Sequence, residues 1–108
     1  MRVLLSGHLG YLGTLATREL LRAGHDVVGY DAGFYAGTAL YPAEGIGLSE
    51  FLRDIRRITL ADLSSFDAVV HMGELSNDPL GQLAPAITFE INHRGSVNLA
   101  RLAKKAGV

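Results

Sequence analysis

The sequence predicts an α/β fold: one half of a doubly wound parallel sheet with strand order 3-2-1-4. Two observations carry that prediction. Short, continuous apolar runs bounded by turn residues recur at Val3-Leu4-Leu5 and Ala68-Val69-Val70, as expected of strands buried on both faces. Segments of helical periodicity alternate with such runs, and right-handed crossovers between parallel strands then dictate the order.

The elements follow in turn. Residues 2–6 form the first strand, ended by Ser6-Gly7. From Tyr11 to Ala23 the period becomes helical, with Leu12, Ala16 and Leu20 on one stripe, Arg18 and Arg22 on another, and Gly24 as the C-terminal stop. Residues 26–31, β-branched at the centre, are the second strand. Residues 32–49 hold Gly33, Gly37, Pro42, Gly45 and Gly47 without sustained period and read as an irregular connection with at most one helical turn. Residues 51–55 read as a short third strand, Thr59 as the N-cap of a helical turn over 60–63, and residues 67–72 as the fourth strand. Ser76-Asn77-Asp78-Pro79 reads as a loop. Pro85 opens a long helix to about Ala106, with Ile87, Ile91, Gly95, Leu99, Leu102 and Ala106 as its buried stripe, Lys104 and Lys105 in the last turn, and Gly107 as the stop. Ala106-Gly107-Val108 resembles the turn into a fifth strand, so the 108 residues are expected to be the N-terminal part of a longer dinucleotide-binding domain, with the catalytic and substrate-binding portions elsewhere.

Composition narrows the function. At 48% apolar and 19% charged, the chain has the balance of a soluble globular domain. Ten basic residues against eleven acidic ones give a net charge of -1, which argues against a basic-patch module for nucleic acid or membrane surfaces. No cysteine is present, which excludes disulfides, thiolate metal sites and a cysteine nucleophile, and fits a reducing cytoplasm. The opening apolar run is too short for a signal peptide, and no stretch reaches the ~18 apolar residues of a membrane span.

The chemistry concentrates in Gly7-His8-Leu9-Gly10-Tyr11-Leu12-Gly13, three glycines at spacing three between a buried strand and an amphipathic helix. Gly7 permits the tight turn, Gly10 lets a pyrophosphate approach backbone, and Gly13 lets the helix pack close to the sheet. First-turn N–H groups and the positive helix end then face the phosphates. Asp31 ends the second strand eighteen residues after Gly13, where a carboxylate takes the adenosine ribose hydroxyls and repels a 2′-phosphate. With no Arg in the next several residues, NAD is favoured over NADP. The alternative reading is that these glycines only shape a turn and that Asp31 is a polar strand end.

Ser6-Gly7-His8-Leu9-Gly10-Tyr11-Leu12-Gly13, Asp54-Ile55, Asp67-Ala68-Val69-Val70-His71-Met72-Gly73 and Ile91-Asn92-His93-Arg94-Gly95-Ser96-Val97-Asn98-Leu99 together resemble the extended short-chain dehydrogenase/reductase family, in its NAD-dependent epimerase/dehydratase branch. The likeness spans the whole chain. It implies a Rossmann fold, NAD as cofactor, transient hydride removal from a nucleotide sugar, and a cytoplasmic enzyme that is a homodimer at full length. Residue by residue, it implies that Gly7, Gly10 and Gly13 hold the pyrophosphate with Leu9 and Tyr11 around it, and that Asp31 binds the ribose. It also implies that Asp54 accepts from the adenine amino group beside the Ile55 N–H, that Met72, Gly73 and Glu74 line the cofactor, and that Asn92 is the family's helix asparagine near the active site.

Two departures stand out. The family's catalytic Tyr-x-x-x-Lys is absent from these residues, since Tyr11, Tyr30, Tyr35 and Tyr41 are followed four positions on by Leu15, Phe34, Ala39 and Gly45. Glu74 stands where the family more often has a small residue, as either a solvated loop acid or a group at the substrate mouth. His8, His25, His71 and His93 lack metal-ligand spacing, with His71 expected as a hydrogen-bonded core or cofactor-neighbouring residue. Arg53, Arg56 and Arg57 read as a solvated basic face, and Ser64-Ser65 lacks a nucleophile-elbow context. The competing readings are a non-catalytic NAD-binding regulatory module and an S-adenosylmethionine methyltransferase, whose glycine turn is usually tighter than this one.

Overall fold

In the computed structural model, which describes residues 1–38 and 47–108, the strands are β1 (Arg2–Ser6), β2 (Asp26–Asp31), β3 (Ser49–Leu52) and β4 (Ala68–His71). They form one parallel sheet in the order β3-β2-β1-β4, as the crossover rule requires. The central strand carries the apolar run: Val3, Leu4 and Leu5 of β1 are all fully buried, held in register with Val27-Val28-Gly29 on one side and Ala68-Val69-Val70 on the other. One face of the sheet packs its core through Leu4, Val28 and Tyr30 against Ile55, Ile58, Leu63, Phe66, Ile91 and Leu99.

Helix α1 (Tyr11–Arg22) follows the glycine turn and ends at Ala23, with Gly24 left-handed at φ +81°. Its buried residues are Gly13, Thr14 and Thr17, whereas Leu12 is 59% exposed. Of the expected stripe, Leu12 is therefore outside the packed face, while Ala16 and Leu20 are half-buried. The cause is close packing at Gly13, where any Cβ would collide with the Gly7 carbonyl, so the helix docks through small residues and Thr17 Oγ1 returns its proton to the Gly13 carbonyl at 2.9 Å.

Beyond β2, residues 39–46 lie outside the described part, and with them Pro42 and Gly45 of the expected irregular connection. The third strand starts and ends earlier than the sequence suggests. Asp54 accepts the Arg56 N–H at 2.9 Å and caps a 3₁₀ turn over Ile55–Arg57, which removes Ile55 from the ladder and seats it in the core. Thr59 caps α2 (Leu60–Leu63) as expected, reinforced by the reciprocal Asp62 bond to the Thr59 N–H at 2.8 Å.

Ser76 and Asn77 are loop as expected, but Asp78 and Pro79 start a helix, α3 (Asp78–Leu83). Asn77 accepts the Leu80 N–H at 2.8 Å, and Pro79 occupies a first-turn position where no donor is needed. The long helix is divided into α4 (Pro85–Phe89), a π-helical segment (Glu90–Gly95) and α5 (Ser96–Ala106), closed by Gly107 at φ +79°. Ile91, Gly95 and Leu99 are its buried positions, while Ile87 is 42% exposed. Gly95 is small because Ile55 sits against it: a Cβ there would lie 3.2 Å from Ile55 Cγ2. No helix among the described residues is long and apolar enough to cross a membrane.

Candidate functional site

The C-terminal ends of all four strands open onto one groove. This is the crevice where the strand order reverses, between β1 and β4, which is where open α/β sheets bind ligands. Of the residues predicted for the site, Gly7, Gly10, Asp31, Asp54, Ile55, Met72, Gly73 and Glu74 line it. Tyr11 and Gly13 line an adjoining groove that shares Gly7, Gly10, Met72 and Glu74 with the first.

The turn is built from its backbone. Gly7 is left-handed at φ +78°, and a Cβ on it would fall 2.5 Å from the Met72 carbonyl, so position 7 is closed to side chains on two counts. Gly10 differs: its φ of -78° suits any residue, and a Cβ there would meet only the Gly7 carbonyl, at 3.2 Å. The space beside Gly10 is the groove itself. Gly10 is also the N-cap of α1 and supplies no side-chain bond to the first turn, leaving helix N–H groups for an anion.

Asp31 is tied to this turn, its Oδ2 accepting the Leu9 N–H at 3.1 Å and its Oδ1 the Gly33 N–H at 2.8 Å. Leu9 lines neither groove; its backbone N–H bonds Asp31. Each carboxylate oxygen keeps a second acceptor position.

Asp54 is more heavily engaged. Both its oxygens face Arg56, which donates from Nε at 3.0 and 3.1 Å and from a terminal nitrogen at 2.5 Å. Those bonds hold its carboxyl below the usual carboxylate range. Arg53, Arg56 and Arg57 are all exposed, as the solvated-face reading expects, and Arg56 is in addition paired with Asp54 in this capped turn. Arg53 also lines the groove, with its guanidinium 3.2 Å from Asp62 and over the Phe51 ring. It is the cation that no short-range pattern after Asp31 discloses.

Asn92 does not line the main groove. Its amide clasps Leu75 at both ends, accepting the Leu75 N–H at 2.8 Å and donating to the Leu75 carbonyl at 2.8 Å. It shapes the loop that carries Glu74. Glu74 itself is exposed and borders both grooves, with Oε1 3.3 Å from Ser96 Oγ.

Beneath them runs a polar chain that sequence reading did not assemble. Ser6 Oγ accepts the Met72 and Gly73 N–H groups, each at 3.2 Å, so its own proton goes to His71 Nδ1 at 2.6 Å. His71 then donates from Nε2 to Ser96 Oγ at 2.8 Å, and Ser96 donates to the Asn92 carbonyl at 2.6 Å. Burial pushes the imidazole below its ordinary 6.5, against the pull of the Glu74 charge. Among the described residues no group of three or more His, Asp or Glu could hold a metal ion.

Residues 3–108 match the profile of the NAD dependent epimerase/dehydratase family. The chain belongs to that family. This family member is 30% identical over 114 residues to UDP-glucose 4-epimerase of Streptomyces lividans, covering 99% of this chain and 33% of that protein. It is 26% identical over 106 residues to UDP-glucuronic acid decarboxylase 1 of Danio rerio, covering 98% of this chain and 25% of that one. Among solved structures it resembles a UDP-glucose-4-epimerase from Stenotrophomonas maltophila with bound NAD and formylated UDP-arabinopyranose. The TM-score is 0.78 at 29% identity, over 100% of this chain and 34% of that one. The UDP-glucose 4-epimerase of Thermus thermophilus in complex with NAD superposes with a TM-score of 0.80 at 25% identity, over 100% and 35% of the two chains. The chain thus spans 33% and 25% of the two relatives' lengths.

Proposed function

We propose that these residues bind the adenosine and pyrophosphate portion of NAD in an oxidoreductase that acts on a nucleotide sugar by transient hydride transfer. The observation that carries the reading is the Leu9–Asp31 bond of 3.1 Å, which fixes a ribose-binding carboxylate against the glycine turn. The open space beside Gly10 fits the cofactor because a pyrophosphate there meets backbone and a helix N-terminus instead of a side chain.

In this reading Gly7 shapes the turn, Gly10 admits the pyrophosphate, Gly13 brings α1 close enough for its first-turn N–H groups to reach it, and Tyr11 borders the same space. Asp31 accepts from the adenosine ribose. Asp54 offers an adenine amino group only the acceptor capacity that Arg56 leaves, beside Ile55. Met72 and Gly73 form the floor at the end of β4. Asn92 acts through Leu75 rather than by touching the cofactor. Glu74, at the junction of the two grooves, faces the side on which a sugar would enter. Bound NAD supplies the hydride acceptor. In residues 1–108 no tyrosine is followed four positions on by lysine, so no proton-transfer pair is assigned within them.

Calorimetric titration of NAD into the full-length protein tests the binding reading, and absorbance at the NADH band on adding sugar nucleotides tests the enzymatic one. Saturable NAD binding that depends on Asp31 supports the first. No binding at millimolar NAD would overturn it.

A further inference from the structure

Position 8 lies inside the glycine turn, yet its side chain turns away from the groove. His8 is 1% exposed, and its ring lies over Gly29 in the middle of β2, where a Cβ would fall 2.5 Å from both Cε1 and Nε2. A glycine inside a strand weakens the strand and marks a place where another group approaches the backbone closely. Here that group is the His8 imidazole.

Gly29 and Glu50 are register partners in the β2–β3 pair, so position 50 projects on the face that the ring covers. Nε2 of His8 donates to Glu50 Oε2 at 2.7 Å. Among the described residues Nδ1 has no hydrogen-bond partner, which leaves Glu50 as the polar anchor of the ring. The turn is therefore pinned at three successive residues: Gly7 N–H to the Tyr30 carbonyl at 2.9 Å, the His8 ring to Glu50, and Leu9 N–H to Asp31. The backbone bonds hold the ends, and His8 holds the middle. Glycine-rich backbone loses the most freedom on ordering, so a turn already held in shape receives an anion at a smaller entropic cost.

We infer that His8 is a positioning residue for the dinucleotide: seated in the gap left by Gly29 and bonded to Glu50, it keeps the Gly7–Gly10 backbone in its phosphate-receiving form. The inference rests on the NAD reading above.

The test compares Glu50→Ala, Glu50→Gln, His8→Ala and the double variant His8→Ala/Gly29→Ala with the parent, all in the full-length protein. Three quantities are read: NAD affinity by calorimetry, the thermal midpoint, and amide hydrogen exchange of Leu9 and Gly10 without ligand. Glu50→Ala is expected to weaken NAD binding at least fivefold and to speed exchange at both amides. Glu50→Gln, which retains an acceptor, should stay within twofold of the parent. The double variant places a methyl group where the ring lay and should recover the thermal midpoint lost in His8→Ala without recovering affinity. Parental affinity and exchange in Glu50→Ala would overturn the inference, as would affinity that returns with the midpoint in the double variant, since His8 would then be packing alone. A parent that takes no NAD would overturn the cofactor reading and the ligand named here. Unchanged exchange in Glu50→Ala would show, independently of any ligand, that the bond does not hold the turn.

Discussion

Ser6 Oγ donates to His71 Nδ1 across 2.6 Å, joining the end of the central strand to the end of its outer neighbour β4. Because Ser6 also accepts two backbone N–H groups, the bond requires a neutral imidazole with its proton on Nε2. Protonation of Nδ1 would set a donor against the only proton Ser6 can give.

Stability should accordingly depend on pH. The folded His71 has its pKa held below the ordinary 6.5 by burial, so between those two values the unfolded chain binds the extra proton and the folded one does not. The contribution is complete above 6.5 and is lost as pH falls through the folded value, at no more than about 1.4 kcal/mol per pH unit. In His71→Gln, whose amide can accept from Ser6 and donate to Ser96, this part of the slope should vanish. Denaturant melts from pH 7.5 to 5 measure it, and an equal slope in both proteins would contradict the neutral assignment.

The last two glycines of the motif, Gly10 and Gly13, should fail in different ways. Gly10→Val puts a branched side chain beside the groove at a φ that valine tolerates, with its Cβ 3.2 Å from the Gly7 carbonyl, so NAD affinity should fall more than tenfold while the circular dichroism spectrum is kept and the thermal midpoint falls far less than in Gly13→Val. Gly13→Val drives a Cβ into the Gly7 carbonyl and should lower the midpoint sharply or prevent folding. Parental NAD binding by a folded Gly10→Val protein would remove the phosphate role from Gly10.

Cofactor choice should respond to two carboxylates. Asp31→Asn removes the charge that repels a 2′-phosphate and should narrow the preference for NAD. Adding Asp62→Asn weakens the partner that draws Arg53 aside at 3.2 Å, freeing a guanidinium on the same groove wall, and should narrow it further. Paired titrations of NAD and NADP against the single and double variants decide it; no added gain of NADP in the double variant would exclude Arg53 from the site.

Asn92→Ala leaves the N–H and carbonyl of Leu75 without their side-chain partner, a loss of about 1–3 kcal/mol where such groups are half-buried. Urea melts should show a lowered midpoint. If Asn92 acts through Leu75, NAD affinity should fall with the order of that loop.

Features controlled by local chemistry were legible in the sequence. The limits of β1 and β2, the Thr59 cap and the stop at Gly107 each follow from residues within a few positions of the element they define. Right-handed crossovers then supplied the strand order. Errors arose where two local signals competed. Asp54 as a cap overrode the apolar residues expected to extend β3 to Ile55, and Asn77 as a cap started α3 within an expected loop.

By itself, then, the sequence determined the parallel half-sheet, the glycine turn and the carboxylate at the end of β2, because each depends on backbone geometry that neighbouring residues impose. Tertiary structure alone decided which stripe of α1 is buried, since that depends on Gly13 meeting Gly7 rather than on where the leucines lie. It also decided that Arg56 engages Asp54, that Arg53 reaches the groove, that Asn92 holds Leu75 and that His8 crosses Gly29 to Glu50. The physical reason is distance along the chain. His8 and Glu50 are 42 positions apart, as Asn92 and Leu75 are 17, and only parallel register and helix docking bring such groups within hydrogen-bond reach.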